Sequence, residues 1–488
     1  MTLEVYNWWQ EGSEKSAFDE VRGIHQKRHP NVEVLNLAGE NAAAPNTRIV
    51  MAGRMLAGAP PATFQANLGA DLLYWTVVDA QPAPARSLTE EPNEYRLIQR
   101  LDAFFDDEKL RGDLRPGLLD ELIVDGDAAP FGVPINVHRL NVIYYRPDEL
   151  AEFQSRPGNE GKSFLDLETL CPEGAYDPDD PERDLALDIV IGAGRDGQAW
   201  TLLLLTLENV LPAVIKRRVG GDPAATRMFY DALFRGEMPD PRDPLTGGSE
   251  YVREALECVQ YLSRWFRRIP DRSEDTLVYD PAVGWAEAVD AVKGDDDDDD
   301  AEDNDAAFTV MGDWANGLLQ LELLGTEVEP REVASRAFPG TEGLFVYTSD
   351  TFPLPRGTAH PKEARDFLET IALPEAQIAF SRKKGSVPAR LSASVSKLHV
   401  WQRNASDAFA ASEHLLATSG YFPPYYPQQA FSRVLIEMTA WDVVKPGASP
   451  EDRKSRVDAA LRVFTENEQL LKFWQDRLKR GPAEDALP

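Results

Sequence analysis

The sequence predicts an α/β protein built from more than one compact unit, and three observations carry that reading. At 488 residues the chain exceeds the ~100–200 residues of one typical domain. Hydrophobic residues make up 43% and aromatics 9%, with ten Trp spread along most of the length, enough apolar material to bury real cores rather than leave the chain disordered. The first third alternates strand-like and helix-like patterns, and a β-α-β-α-β order implies parallel pairing with right-handed crossovers.

Leu3, Val5 and Asn7 fall on one face and Glu4, Tyr6 and Trp8 on the other, the period of two that a strand requires. Between Glu14 and Arg28, residues Ala17, Phe18, Val21 and Ile24 form a helical stripe. It stops at His29-Pro30, because the residue before a proline avoids the α region. Asn31 turns the chain into a second strand, Val32–Leu37; an amphipathic helix over Asn46–Ala57 follows, and GAPP with ATFQ forms a loop leading into a third strand. In such sheets ligands sit beyond the carboxyl ends of the strands, which singles out Trp8, Trp9, Gln65 and Asn67. The extended run FGVPINVHRLNVIYY, residues 131–145, contains Pro134, which suits an edge or crossing strand. Residues 150–290 read as helices broken by polar, Pro- and Gly-rich stretches. The acidic run GDDDDDDAEDNDA, residues 294–306, cannot bury itself, so a solvated, disordered loop is expected. Beyond it lie AFTVMGDWANG (307–317), a late strand in EGLFVYTSDTF (342–352) and a helix from Pro361 with Ala364, Phe367, Leu368 and Ile371 on one side. A last helix opens with a Ser449 cap and Pro450 in its first position.

Composition excludes several functions. Asp and Glu total 82 against 51 Lys and Arg, a net charge of −31, and such a surface repels both the phosphate backbone and an anionic leaflet. Neither nucleic acid nor a polybasic membrane contact is expected. Cys171 and Cys258 are the two cysteines; they allow one bridge at most and exclude both a disulfide framework and a four-cysteine zinc site. No apolar run approaches the ~18–20 residues that span a bilayer. The opening MTLEVYNWW is strand-like rather than a signal peptide, which suits a cytosolic protein or one whose leader has been removed. Basic residues are mostly Arg, and residues 295–300 are six consecutive Asp, a charge pattern suited to molar salt, where the Debye length shrinks to ~3 Å and self-repulsion fades.

The one phosphate-loop lookalike, PGNEGKS at 157–163, has Arg156 where a glycine must stand. A GxGxxG after the first strand, a GxSxG elbow and an HExxH are absent, and His25, His29, His138, His360, His399 and His414 are scattered, so no metal, cofactor or catalytic triad is expected. What remains is aromatic and carboxylate: Trp8-Trp9 with Glu14, and Asp313-Trp314. Sugars need both kinds of group, because their C–H faces stack on indole and their hydroxyls bond to carboxylates, amides and ammonium groups. Adjacent side chains alternate, so at least one of Trp8 and Trp9 is core, and Asp313 suits a helix N-cap as well as a ligand contact.

Six segments then stand in a familiar order: YNWWQEGSE (6–14), GRMLAGAPPATFQ (53–65), PINVHRLN (134–141), FTVMGDWANG (308–317), FPGTEGLFVYTSDTF (338–352) and KKGSVPAR (383–390). With them the chain resembles the extracellular solute-binding proteins, family 1, of ABC sugar importers, most closely the glucose-binding branch. The resemblance implies a two-lobed periplasmic-binding-protein fold, each lobe a sheet flanked by helices, with a ligand cleft at the hinge and no chemistry on the ligand. It implies an N-terminal lobe over 1–136 and 345–382 and a C-terminal lobe over 137–344 and 383–488, hinged near 134–140, 342–348 and 380–386. Carried over, the ligand-binding residues are Trp8, Trp9, Glu14, Gln65, Asn67 (where His or Lys is common), Asn136, His138, Asp313, Asp350 and Lys384, with Trp200 and Trp285 as cleft aromatics. His138 also reads as a hydrogen-bonded hinge residue.

The implied protein is a monomeric, non-enzymatic receptor from a halophilic archaeon. It lies outside the cell on a lipid anchor carried by a leader that this chain lacks, and it passes a monosaccharide, glucose first and galactose second, to an ABC permease. The competing expectation is a secreted glycosidase-like enzyme whose carboxyl pair stands ~5–9.5 Å apart across a scissile bond. The charge pattern carries the first prediction. The thermal midpoint rises from dilute buffer to molar KCl, and an unchanged midpoint removes the halophilic reading.

Overall fold

A computed structural model describes residues 1–39, 44–77, 97–123, 129–173, 191–192, 200–234, 248–266, 285–293, 306–323, 332–412, 414–417, 426–444 and 449–480. Strand β1 (Thr2–Tyr6) pairs in parallel with β2 (Glu33–Leu37) and β3 (Thr63–Phe64), as the order of elements requires. Leu3 and Val5 are buried beneath helix α1 (Gly12–Arg28), which contributes Ala17, Phe18, Val21 and His25 to the same core. His25 takes the buried place expected of Ile24, because Thr370 Oγ1 lies 2.9 Å from its Nδ1. Helix α2 (Ala44–Leu56) begins two residues earlier than the sequence suggests. The ATFQ segment, expected as a loop, is itself β3: Thr63 and Phe64 lie in register with Val5 and Tyr6. Two residues are too few to show an alternation.

The chain then moves between sheets. Strand β4 (Ala66–Asn67) leads into α3 (Ala70–Val77), and β5 (Val133–Pro134) stands at a sheet edge, where a proline is tolerated. Strand β6 (Asn136–Arg139) is central to a different sheet, and β7 (Val142–Tyr145) joins a third with β8 (Ile191–Gly192), β9 (Phe308–Val310) and β10 (Ala334–Ala337). The second crossing run is β11 (Leu344–Thr348) and β12 (Asp350–Phe352), separated by Ser349; β12 lies between β4 and β5, while β11 lies between β6 and β14 (His414–Ala417). Strand β13 (Val387–Pro388) completes that sheet on the other side of β6.

Two large buried cores result among the described residues, and β11 serves both: Phe345 and Tyr347 face one, Leu344 and Val346 the other. A strand with alternate residues in separate cores is the shared wall of two lobes. The expected lobe boundary at 383 does not match this packing. Val387, Ala389, Ala405 and Phe409 are buried in the first core, and the chain rejoins the second at Leu416, Phe431 and Leu435. The cause is β13, whose pairing with Asn136 and Val137 holds the returning chain against the first lobe. Cys171 and Cys258 are bridged inside the second core. The last helix, Pro450–Arg480, is capped as expected, with Asp452 N–H donating to Ser449 Oγ at 3.1 Å. Of the acidic run, residues 294–305 lie outside the described residues; Ala306 is buried.

His25 gives this fold a pH dependence. Burial first, and the neighbouring His29 second, push its pKa down to about 4, and its Nε2 has no hydrogen-bond partner among the described residues. The unfolded chain, with His near ~6.5, therefore binds this proton first. The stability it contributes is complete above about pH 6.5 and is lost as pH falls towards 4. In thermal melts across that window, His25→Gln flattens the fall in midpoint; an identical slope in both proteins shows that His25 plays no part.

Candidate functional site

The carboxyl ends of β1, β3 and β4 and the crossing strands β6 and β12 meet around one chain of hydrogen bonds. Trp8 N–H donates to Gln65 Oε1 at 3.3 Å, and Gln65 Nε2 donates to Asp350 Oδ1 at 2.7 Å. Asn136 Nδ2 donates to Asp350 Oδ2 at 2.8 Å while Asp350 N–H donates back to Asn136 Oδ1 at 2.9 Å. His138 bridges two carboxylates, with Nε2 at 3.1 Å from Asp350 Oδ2 and Nδ1 at 2.5 Å from Asp313 Oδ1. Asp313 Oδ2 accepts the Arg139 N–H at 3.0 Å. The network thus runs from the first strand of one lobe to the loop after β9 in the other, and none of Gln65, Asn136, His138, Asp313 and Asp350 is more than 5% exposed.

Burial opposes a charge on His138, but the carboxylates of Asp313 and Asp350 outweigh it and raise its pKa. Burial would also raise Asp350, yet the hydrogen bond and charge of His138, with Lys384 and Asn136 behind them, hold it below its ordinary value. An imidazolium donating from both nitrogens satisfies both carboxylates. A neutral ring keeps Asp313 and accepts from Asn136 Nδ2, 2.9 Å from Nε2.

Around this network the other expected residues divide. Lys384, at the end of the Pro374–Lys384 helix, is ion-paired with Glu14, and its Nζ lies 5.8 Å from the Trp9 ring centre and 5.6 Å from that of Trp314. The Asn67 side chain is 7% exposed and makes no hydrogen bond among the described residues, while its backbone N–H donates to Asp71 Oδ2 at 2.9 Å. Trp9 corrects an expectation: it is fully buried against Phe18, Phe352 and Phe380 and offers no face to a ligand. Trp8 is the half-buried partner. The alternation Leu3, Val5, Asn7, carried one step further, assigns Trp9 to the inward face. Trp285 is half-buried against the second core, with no described contact to the network. Trp200 begins the Trp200–Leu203 helix, and its side chain is not among those described.

Sequence reasoning missed Arg48 and Asp71, a buried ion pair at 2.8 Å, because neither position on α2 or α3 carries a local signal of its partner. It also missed how the lobes touch. A Cβ on Gly317 would stand 2.9 Å from Lys383 O and 3.0 Å from both Lys384 O and Ser13 Oγ. One on Gly385, at φ +97°, would stand 2.7 Å from Asp313 O and 3.1 Å from Gly317 N. The Ala315–Leu323 helix, whose Ala315 belongs to the second core, therefore meets the first lobe through two glycines.

Each charge of the site stands against an opposite one: Glu14 against Lys384, Asp71 against Arg48, and Asp313 and Asp350 against the one ring of His138, with the charge of Arg139 also acting on Asp313. Among the described residues no group of three or more His, Cys, Asp or Glu is placed to hold a metal ion, and no helix is long and apolar enough to cross a membrane.

No family model matches the chain. Over 418 residues it is 27% identical to an uncharacterised ABC transporter extracellular-binding protein of Pyrococcus horikoshii, covering 86% of this chain and 78% of that protein. A probable sugar-binding periplasmic protein of Brucella melitensis is 22% identical over 400 residues, 80% of this chain and 75% of that one. Among solved structures, the bacterial solute receptor AcbH, described as having an exclusive preference for β-D-galactopyranose, matches with a TM-score of 0.62 at 15% identity, over 97% of this chain and 99% of that one. The fold is the two-lobed periplasmic-binding-protein fold.

The glycine contact carries a prediction about this fold. Gly317→Ala favours the helix locally by about 1 kcal/mol but forces the lobes apart at their contact. Small-angle scattering should give a larger radius of gyration for the variant than for wild type, with the melting temperature little changed. Equal radii would mean that the contact yields locally.

Proposed function

We propose that this protein is the sugar receptor of an ABC importer: it encloses a neutral sugar between its lobes, delivers it to the membrane permease and leaves it chemically unchanged. The observation that carries the reading is that every one of these buried charges already stands against an opposite one. A charged ligand would leave one of these groups uncompensated in a desolvated site. A hydroxyl both donates and accepts, so vicinal hydroxyls can share Glu14, Lys384 and the unbonded amide of Asn67 without disturbing that balance. Of the two adjacent indoles, the half-buried ring of Trp8 supplies the stacking face. The relatives' descriptions as extracellular-binding and sugar-binding proteins support the same reading.

A monosaccharide is the proposed ligand, glucose before galactose, and the strands β6 and β11 with the turn at Gly385 are the proposed hinge. We place the protein outside the cell, as a lipid-anchored monomer working in high salt. The glycosidase alternative is disfavoured by the electrostatics: a general acid needs a raised carboxyl pKa, whereas Asp350 is held low.

Isothermal titration of glucose, galactose and maltose in molar KCl tests the proposal. Hydrogen bonds to charged groups are worth about 1.5–3 kcal/mol, so Glu14→Gln should weaken binding by roughly one to two decades, and Trp8→Ala by at least as much. Asp313→Ala is the poorer probe, because it also strips His138 of a buried partner. Wild-type protein that binds none of the three sugars overturns the assignment.

A further inference from the structure

We infer that the buried Arg48–Asp71 pair is a positioning element of the binding site, fixing the plane of the Trp8 ring and the strand end that carries Asn67, and thereby setting which sugar is accepted. The inference rests on the sugar-receptor reading above. Arg48, on α2, is 5% exposed, and Asp71, in the first turn of α3, is 1% exposed. Their contact, Nη2 to Oδ2 at 2.8 Å, joins helix α2 to helix α3. The Arg48 guanidinium carbon lies 5.2 Å from the Trp8 ring centre, and the same Asp71 Oδ2 accepts the Asn67 N–H at 2.9 Å. Strand β4 is two residues long, so its own ladder holds Asn67 weakly, and the carboxylate supplies the missing constraint.

Stability alone does not account for the pair. Arg48 Nε and Asp71 Oδ1 are both buried without a hydrogen-bond partner among the described residues, and a buried ion pair satisfied on one side only contributes no more than an apolar pair of the same volume. Neither orphaned atom has solvent-accessible surface, so the pair acts on the ligand through Trp8 and Asn67 rather than by touching it. Arginine is required for that geometry. A planar guanidinium can lie over indole while its edge bonds a carboxylate, whereas an ammonium offers a point charge without a face. A tilt of the Trp8 plane changes which face of a hexose stacks, and that distinguishes epimers.

The test uses protein labelled with 5-fluorotryptophan, in which the Trp8 resonance is the one lost in Trp8→Phe. Two variants are compared with wild type: Arg48→Lys, and the double variant Arg48→Met with Asp71→Asn, which leaves no buried charge unpaired. Both should move the Trp8 fluorine resonance before any sugar is added. In titrations both should weaken glucose binding about tenfold or more and change the ratio of glucose to galactose affinity. A double variant whose Trp8 resonance stays in place, or which binds glucose, galactose and maltose as wild type does, overturns the inference. Wild-type protein that binds none of these sugars removes the sugar reading instead, and the resonance alone then decides whether the pair positions Trp8.

Discussion

The interaction on which the rest depends is the imidazole of His138 held between Asp313 and Asp350. Each group alone would be costly where it lies, since all three are nearly inaccessible to water; together, with the Arg139 N–H and the Asn136 amide on the carboxylates, every charge has a partner. Removing one member strands the others, at a cost of about 3–5 kcal/mol for a buried pair. The three come from β6, β12 and the loop after β9, so one electrostatic unit ties both lobes to the crossing strands. The signs differ by member. The raised pKa of His138 makes its contribution complete below about pH 6.5 and lost as pH rises through the folded value. The lowered pKa of Asp350 makes its contribution complete above about pH 4 and lost as pH falls through the folded value. The unit is strongest between those limits.

Why a polar site lies here follows from the strands that carry it. Alternate residues of β11 feed two cores; the second takes Leu344 and Val346 and no residue of β12, while the first resumes at Phe352. At that break the inward positions are Ser349 and Asp350, beside Asn136 and His138 of β6. Two apolar cores that share a wall leave a seam between them, and buried polar groups persist in a seam only when they satisfy one another. The same seam supplies the aromatic faces, Trp8 from one lobe and Trp314 from the other, and the Trp314 ring stands edge-on to His138 with centres 5.2 Å apart.

Much of the fold was legible because it obeys local rules. The parallel order β2-β1-β3 follows from alternating elements, Pro134 falls on an edge strand, and Ser449-Pro450 opens a helix. What was illegible depends on partners far along the chain. Gln65 meets Asp350 across 285 residues and His138 meets Asp313 across 175, and no periodicity encodes either contact. The residue types of the site came from the resemblance of short segments, but segments do not say which members bind ligand and which bind each other. Trp9 marks the boundary between the two cases. Its burial follows from extending the β1 alternation by one residue, whereas the Phe352 and Phe380 rings that enclose it come from the other end of the chain. The return of residues 387–409 to the first core was hidden for the same reason, since β13 is two residues long and only its pairing with β6 places it.

The acidic surface and the balanced interior answer to different physics. A net charge of −31 acts between exposed groups separated by many ångströms, where a Debye length of ~3 Å in molar salt removes most of the repulsion. The contacts of His138 are 2.5 and 3.1 Å long and are closed to water, so no counter-ion enters between them. Salt therefore acts on the repulsion between exposed groups and leaves the contacts of the seam alone. For the neutral sugar proposed above, the surface has no charge to repel or attract, and the groups of the seam are left to set affinity. An interior built this way tolerates as acidic an exterior as its surroundings demand without that exterior acting on the contacts of the seam.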